Sequence, residues 1–553
     1  MPSHSTLTEH DRKKLRALLA TTDTSRLTLA VGMLQSLEAS EAEWSELVTT
    51  ETLATLAQTW DSNVWQMLAN GLQDFPRLIR RFADYVGPSK RKRREKFLAS
   101  LLPDLDAAMA ALVTPIIHRC HPNDLQRFVV ELETISAEAA KVLVGYADDL
   151  NLNGLKTLSD EAAKAFDGHR GCLILNGLRA ISDGTAKALA GNAGPLHLRG
   201  LESLSDEAAE ALGTHRGLLN LDELKTLSTD AAKSLASHHG PLSLAGLQTL
   251  SEEAIIAIAG SRGTLDLSFV TSLSAAAACG LASHPGRLIL RGLKTLPDNA
   301  ARALAAHRGE LDLGKLKTLS VKAAEALASH RGSLTLNSLK TLSVKAARAI
   351  ARHEGELNLD GLMRLCDEAV TALAASRGSL NVGCVTSLSL RAAEALAKHE
   401  GKLNLNGLTT LSPEVAQALT QTEGRVLQLR GLTMLFPEVA TILAECPQWD
   451  GQLPALTTLS PETAEALAMH RGPLILDSLS AMSDEVANSL AGHEGSLSLG
   501  LTTVSLESAT ALARHQGELR LWRLKMLSAE AAAALSVRDD MRWTLQRLAQ
   551  RQD

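Results

Sequence analysis

A recurrence of 23 residues limits the fold more than any other feature of this chain. The first leucine of an L-x-L triplet stands at Leu150, Leu173, Leu196, Leu219, Leu242, Leu265, Leu288, Leu311, Leu334, Leu357, Leu380 and Leu403, each 23 residues after the last. The phase then slips by a few residues through Leu427, Leu453, Leu474, Leu497 and Leu519, which makes seventeen units. A degenerate copy running from Phe128 to Ser136 precedes them. A unit this short cannot bury its own leucines, so each copy must use its neighbours as core. Stacking into a solenoid is therefore expected.

The unit reads L-x-L-x-G-L-[KT]-T-L-S-x-E-A-A-x-A-L-A-x-H-R-G-x. Alternation in L-x-L predicts a short strand with leucines inward and the residues between and just after them outward. Ser159, Ser205, Ser228, Ser251 and Ser320 stand where a helix N-cap belongs, followed by acids such as Asp160 and Glu161 that suit the helix dipole. The A-A-x-A-L-A stretch is strongly helix-forming. The glycine after the His-Arg pair, as at Gly171, Gly217 or Gly332, is expected to take a left-handed C-terminal cap. Composition agrees with a core of leucine and alanine: apolar residues make up 45% of the chain and aromatics 3%.

On these residues, from roughly Phe128 to Leu535, the chain resembles the leucine-rich-repeat superfamily, especially bacterial arrays with 23-residue units. The resemblance implies an α/β fold, a β/α solenoid with parallel strands on its concave face, and a scaffold that binds proteins. The usual repeat carries an Asn or Cys ladder in L-x-L-x-x-N-x-L, whereas this chain has Leu at that place, so no family ligand contact is carried over. Some bacterial relatives add a ubiquitin-ligase domain with a Cys-x-Asp nucleophile motif, which this sequence lacks.

Outside the repeat, residues 1–87 are expected to form a small all-helical domain, with helix-like spacing over Arg12–Leu19, Leu27–Leu37, Glu41–Leu56, Val64–Leu72 and Phe75–Tyr85. Trp44, Trp60 and Trp65 would fill its core. Residues 88–96 read as a basic linker, 97–127 as a helical cap, 128–535 as the solenoid and 536–553 as a C-terminal capping helix with Trp543, Leu545 and Leu548 on one apolar face. Glu445–Asp450 interrupts the array and is expected to kink it or bulge from it. Six scattered cysteines without a C-x-x-C pair, and an N-terminus without a secretory apolar stretch, suggest a reduced, cytoplasmic protein without a structural metal or cofactor.

Histidines recur at one repeat position: His169, His215, His238, His284, His307, His330, His353, His399, His470, His493 and His515. Helices packed about 8–10 Å apart would hold them too far from one another to share a metal. Each is expected instead to serve the carbonyls at its helix C-terminus. No G-x-S-x-G, H-E-x-x-H or Gly-rich phosphate loop occurs, so an enzyme is not expected, although an activity in the N-terminal helical domain is an alternative.

Candidate partner-binding residues are the outward strand positions. They comprise Asn151, Asn153, Asn176, His197, Arg199, Asn220, Asp222 and Asp266, then Arg291, Asp312, Asn337, Asn358, Asp360, Asn381, Asn404 and Asn406. The alternative is nucleic-acid or other polyanion association. It would use the run Lys90, Arg91, Lys92, Arg93, Arg94 and Lys96, with an edge row of Lys156, Arg179, Lys225, Lys294, Lys317 and Lys340 broken by Glu202. A protein-binding scaffold is the leading expectation.

Overall fold

The computed structural model describes residues 7–20, 23–36, 44, 46–47, 129–130, 132–145, 149–247, 250–422 and 426–549. The chain divides into two compact bodies, Met1–Phe269 and Val270–Asp553. The fold is an α/β solenoid of leucine-rich-repeat type with a helical N-terminal region. Most of the expected N-terminal domain, the linker at 88–96 and the cap at 97–127 lie outside the described residues. Within it, Glu9–Leu19 and Thr24–Ser36 are helices and Trp44 is buried. Glu46 pairs with both Arg12 and Arg16.

In the first body, parallel strands begin at Leu150–Asn151 and advance in steps of 23 residues, so that Leu150 pairs with Leu173 and Leu219 with Leu242. In the second body, six parallel strands from Leu288–Ile289 to Leu403–Asn404 keep the same step. A separate three-stranded sheet follows at Leu474–Leu476, Leu497–Leu499 and Leu519–Arg520. Each strand leads through a leucine-filled turn to a helix of mostly seven or eight residues. One unit shows the core: Leu219, Leu221, Leu224, Ala231, Ala232 and Leu235 are all fully buried. Among the described residues, no helix is long and apolar enough to cross a membrane.

The serines cap their helices as expected, and Ser205 Oγ accepts from the Ala208 amide at 3.0 Å. Their acidic neighbours have a second role that the sequence hides. Asp183 accepts from the Ser205 hydroxyl of the following unit at 2.5 Å, and Asp367 likewise from Ser389 at 2.6 Å. These carboxylates join consecutive helix starts as well as facing the dipole.

The glycines after His-Arg do not take the expected left-handed cap. Positive φ occurs among the described glycines only at Gly168 and Gly451, and helices end through right-handed residues such as Thr214. Glycine is needed because backbones crowd: a Cβ on Gly217 would lie 2.4 Å from the Gly194 carbonyl oxygen, and one on Gly332 would lie 2.0 Å from that of Gly309.

Glu445–Asp450 interrupts the regular sheet. Trp449 bridges to Leu427 and is buried, taking the strand place expected of Leu453, which enters after a left-handed Gly451 and donates to the Ile475 carbonyl at 2.9 Å. The regular sheet is interrupted here, and isolated bridges from Leu427 to Trp449 and from Gln452 to Ile475 carry the pairing through the bulged segment.

Near the C-terminus, side chains supply what a further unit would. Asp540 Oδ2 accepts from the Leu519 amide at 2.8 Å, and the Arg538 guanidinium donates to the His515 carbonyl and, at 2.6 Å, to that of Gly517. In the helix Arg542–Ala549, Leu548 is buried as expected, but Trp543 is exposed and lies beneath the Arg547 guanidinium.

Candidate functional site

The strand face is built by residues that serve the backbone first. Asn151 Oδ1 accepts from the Asn153 amide at 3.2 Å, Asn220 from Asp222 at 3.1 Å, Asn358 from Asp360 at 3.1 Å and Asn404 from Asn406 at 2.9 Å. These are Asx-type turns that end each strand. The following residue type reaches into the next unit: Asn153 accepts from the Asn176 amide at 3.2 Å, Asn176 from Arg199 at 3.0 Å, Asp222 from Ala245 at 3.0 Å, Asp360 from Gly383 at 2.7 Å and Asn406 from Arg430 at 3.1 Å. A hydrogen-bond ladder between neighbouring units is thus present at the strand end. The sequence carried its signal in the Asn and Asp frequency of that position.

These rows are therefore half-buried rather than freely exposed, Arg199, Arg291 and Asn337 excepted. Since a backbone N–H must meet the oxygen, each carboxamide is oriented with its nitrogen away from that bond. The Nδ2 groups of Asn220, Asn358 and Asn404 have no hydrogen-bond partner among the described residues. Asn381 differs, donating from Nδ2 to Asp360 at 2.9 Å. Asp266 Oδ1 accepts from the Ser268 amide at 2.9 Å, and burial lowers the pKa of half-buried His197 despite the opposing charge of Asp222.

Asp312 contradicts the expectation of an outward residue: its side chain is 1% exposed. Arg291 lies 2.8 Å and Arg287 3.4 Å from its carboxylate, and its other oxygen holds the Gly314 amide at 2.9 Å. A Cβ at Gly314 would lie 2.8 Å from that same oxygen, so the missing side chain leaves room for the Asp312 carboxylate.

The histidine position forms a buried ladder in each body. Asn192 and Ser261 occupy it in the first, and Ser376, Thr422 and Cys446 in the second, all buried like the histidines. Neighbouring rings stack with centroids 5.8–6.5 Å apart and planes within 11°. The rings are closer than helix axes would allow because they project from the returning loop. Parallel rings aim their nitrogens in one direction rather than at a common point, and no group of three ligands among the described residues could hold a metal.

The carbonyl partner also differs from expectation. Nδ1 of His399 meets the carbonyl oxygen of Ala374, the last residue of the preceding unit's helix, at 3.2 Å. For His215, backbone groups of Ala190 and Leu218 favour the charged form, but desolvation outweighs them and neither ring nitrogen reaches hydrogen-bond geometry. Burial lowers the pKa of His215, His238, His330, His353, His470, His493 and His515, and that of His307 to about 4, where neighbouring His330 adds to the effect.

Of the polyanion candidates, Lys90–Lys96 falls outside the described residues. The edge row is ion-paired in the first body: Lys156 with Glu133, Arg179 with Glu202 and Glu223, and Lys225 with Glu202.

No family model matches the chain and no curated protein matches it. Solved structures with which it aligns include a leucine-rich-repeat protein of Leptospira interrogans, at 20% identity and TM-score 0.32 over 71% of this chain and 94% of that one. A chain of the Drosophila Toll–Spatzle complex aligns at 14% identity and TM-score 0.34, over 70% of this chain and 57% of that one. An internalin from Listeria monocytogenes aligns at 13% identity and TM-score 0.24, over 73% and 93%. The fold assignment rests on the register and core described above.

Proposed function

We propose that the chain is a non-enzymatic scaffold that binds a protein partner on its strand face. The carrying observation is the orientation of the strand-end asparagines, which use Oδ1 on the chain's own backbone and leave Nδ2 of Asn220, Asn358 and Asn404 to a ligand. A row of amide donors on a rigid ladder suits backbone carbonyls or carboxylates of a partner, with affinity spread over many shallow contacts. An intracellular location accords with the free cysteines at Cys172, Cys279, Cys366, Cys384 and Cys446.

Asparagine-to-aspartate exchange tests this reading, because it retains the acceptor that the backbone needs and removes only the outward donor. Asn220→Asp, Asn358→Asp and Asn404→Asp combined should unfold like the parent yet lose the protein retained by the parent from native lysate. Retention of the same protein by the triple variant counts against the strand face as the binding site.

A further inference from the structure

Charge is concentrated in one stretch of the second body. Residues 287–352 hold thirteen Lys or Arg and four Asp or Glu, in a chain whose net charge is −6. Two of those cations, Arg287 and Arg291, are committed to Asp312 and Glu310. None of the others has an ion pair among the described residues.

The edge row changes character here. Lys294, Lys317 and Lys340 occupy the repeat position that Lys156, Arg179, Glu202 and Lys225 hold in the first body, and the Lys317 amide donates to the Lys294 carbonyl at 3.1 Å. All three are exposed, with exposed Lys322 and Lys345 a few residues on. In the first body Glu133 and Glu202 stand at the same position among the cations and pair with Lys156, Arg179 and Lys225. In the second it stacks like charges at the spacing of adjacent strands, about 4.8 Å. Such a row repels itself, and a polyanion laid along it removes that cost.

We infer that this strip, centred on Lys294, Lys317 and Lys340, binds the phosphate backbone of a nucleic-acid duplex without reading its sequence. Two features favour a duplex. Among the described residues, no large apolar side chain is exposed within 287–352, so the buried anchor that a protein interface or membrane insertion would use is missing. No Phe, Tyr or Trp lies in the stretch either, and the rings of His307 and His330 are buried, which removes the stacking platform of a single-strand site. Lysines beside the hydroxyls of Thr295, Thr318 and Thr341 match phosphate contacts that position without specifying.

The test uses the full chain and a fluorescent random-sequence DNA duplex, with anisotropy read across a salt series. Lys294→Glu, Lys317→Glu and Lys340→Glu combined should weaken binding by about tenfold or more at low salt and flatten its salt dependence. Charge reversal of Lys156, Arg179 and Lys225 should change it by less than about threefold, since those cations are already partnered. Neutralising Lys90–Lys96 separates the two basic regions, and the strip's contribution should survive it. Four results would overturn the inference: no duplex binding at low salt, binding unmoved by the triple reversal, binding abolished by neutralising Lys90–Lys96 alone, or tighter binding to phosphatidylserine vesicles or polyglutamate than to the duplex. Far-ultraviolet circular dichroism and melting of each variant separate lost binding from lost folding.

Discussion

Nδ1 of His399 lies 3.2 Å from the carbonyl oxygen of Ala374, so a ring in one unit closes the helix end of the unit before it. Burial of other rings of the ladder, among them His307, His330 and His353, makes it sensitive to acid. An imidazole held neutral in the fold binds its proton less well than in the unfolded chain. Stability is then complete above the ordinary histidine pKa of 6.5 and is lost as pH falls toward 4, where His307 titrates. Thermal melts from pH 7.5 to 4.5 should show a falling midpoint. His307→Asn with His330→Ser, residue types that the ladder already accommodates at Asn192 and Ser261, should flatten that fall. An unchanged slope would place its origin elsewhere.

Backbone crowding gives a second expectation. Gly332→Ala places a methyl group 2.0 Å from the Gly309 carbonyl oxygen, and backbone on both sides must shift. Overpacking of this kind costs about 1–3 kcal/mol. Urea unfolding should register it as a lower midpoint, whereas Gly492→Ala, whose nearest contact is 3.4 Å away, should be far milder.

Cys366 sits at a helix N-cap without a side-chain hydrogen bond, where Ser389 and Ser343 cap their own helices. Cys366→Ser should supply the missing acceptor and stabilise the chain by about 0.5–1 kcal/mol. A melting point equal to or below the parent's would refute that account.

Trp449 carries the ladder across the irregular segment, buried against His470 at 4.7 Å between ring centroids. Trp449→Ala should cost about 3–5 kcal/mol. Loss of hydrogen-exchange protection should concentrate near Leu427 and Leu453, which flank it in the ladder.

Strand, turn, capped helix and period were all legible in the sequence, because each follows from local alternation, capping chemistry and a constant spacing. Features that depend on the adjacent unit were harder to read. Asn153 looks like a surface residue until the Asn176 amide is placed against it, and Gly332 looks like a helix cap until Gly309 is behind it. Asp312 looks outward-facing for the same reason: the arginines that bury it come from 21 and 25 residues earlier, across the ladder. The repeat pattern points to Leu453 and not to Trp449, because only the bridge to Leu427 gives the tryptophan its strand place.

The glycine joints have a directional logic. Gly332 rests on the carbonyl of Gly309 and Gly355 on that of Gly332, so a unit offers one half of a coupling forward and receives the other from behind. Units that keep both halves are then interchangeable in line with their neighbours, and dedicated chemistry stands where the series breaks, as Trp449 provides within the array and Arg538 and Asp540 near the C-terminus. Such a chain can lengthen or shorten by whole copies with its couplings intact, while loss of a fraction of a unit leaves two unmatched halves facing one another.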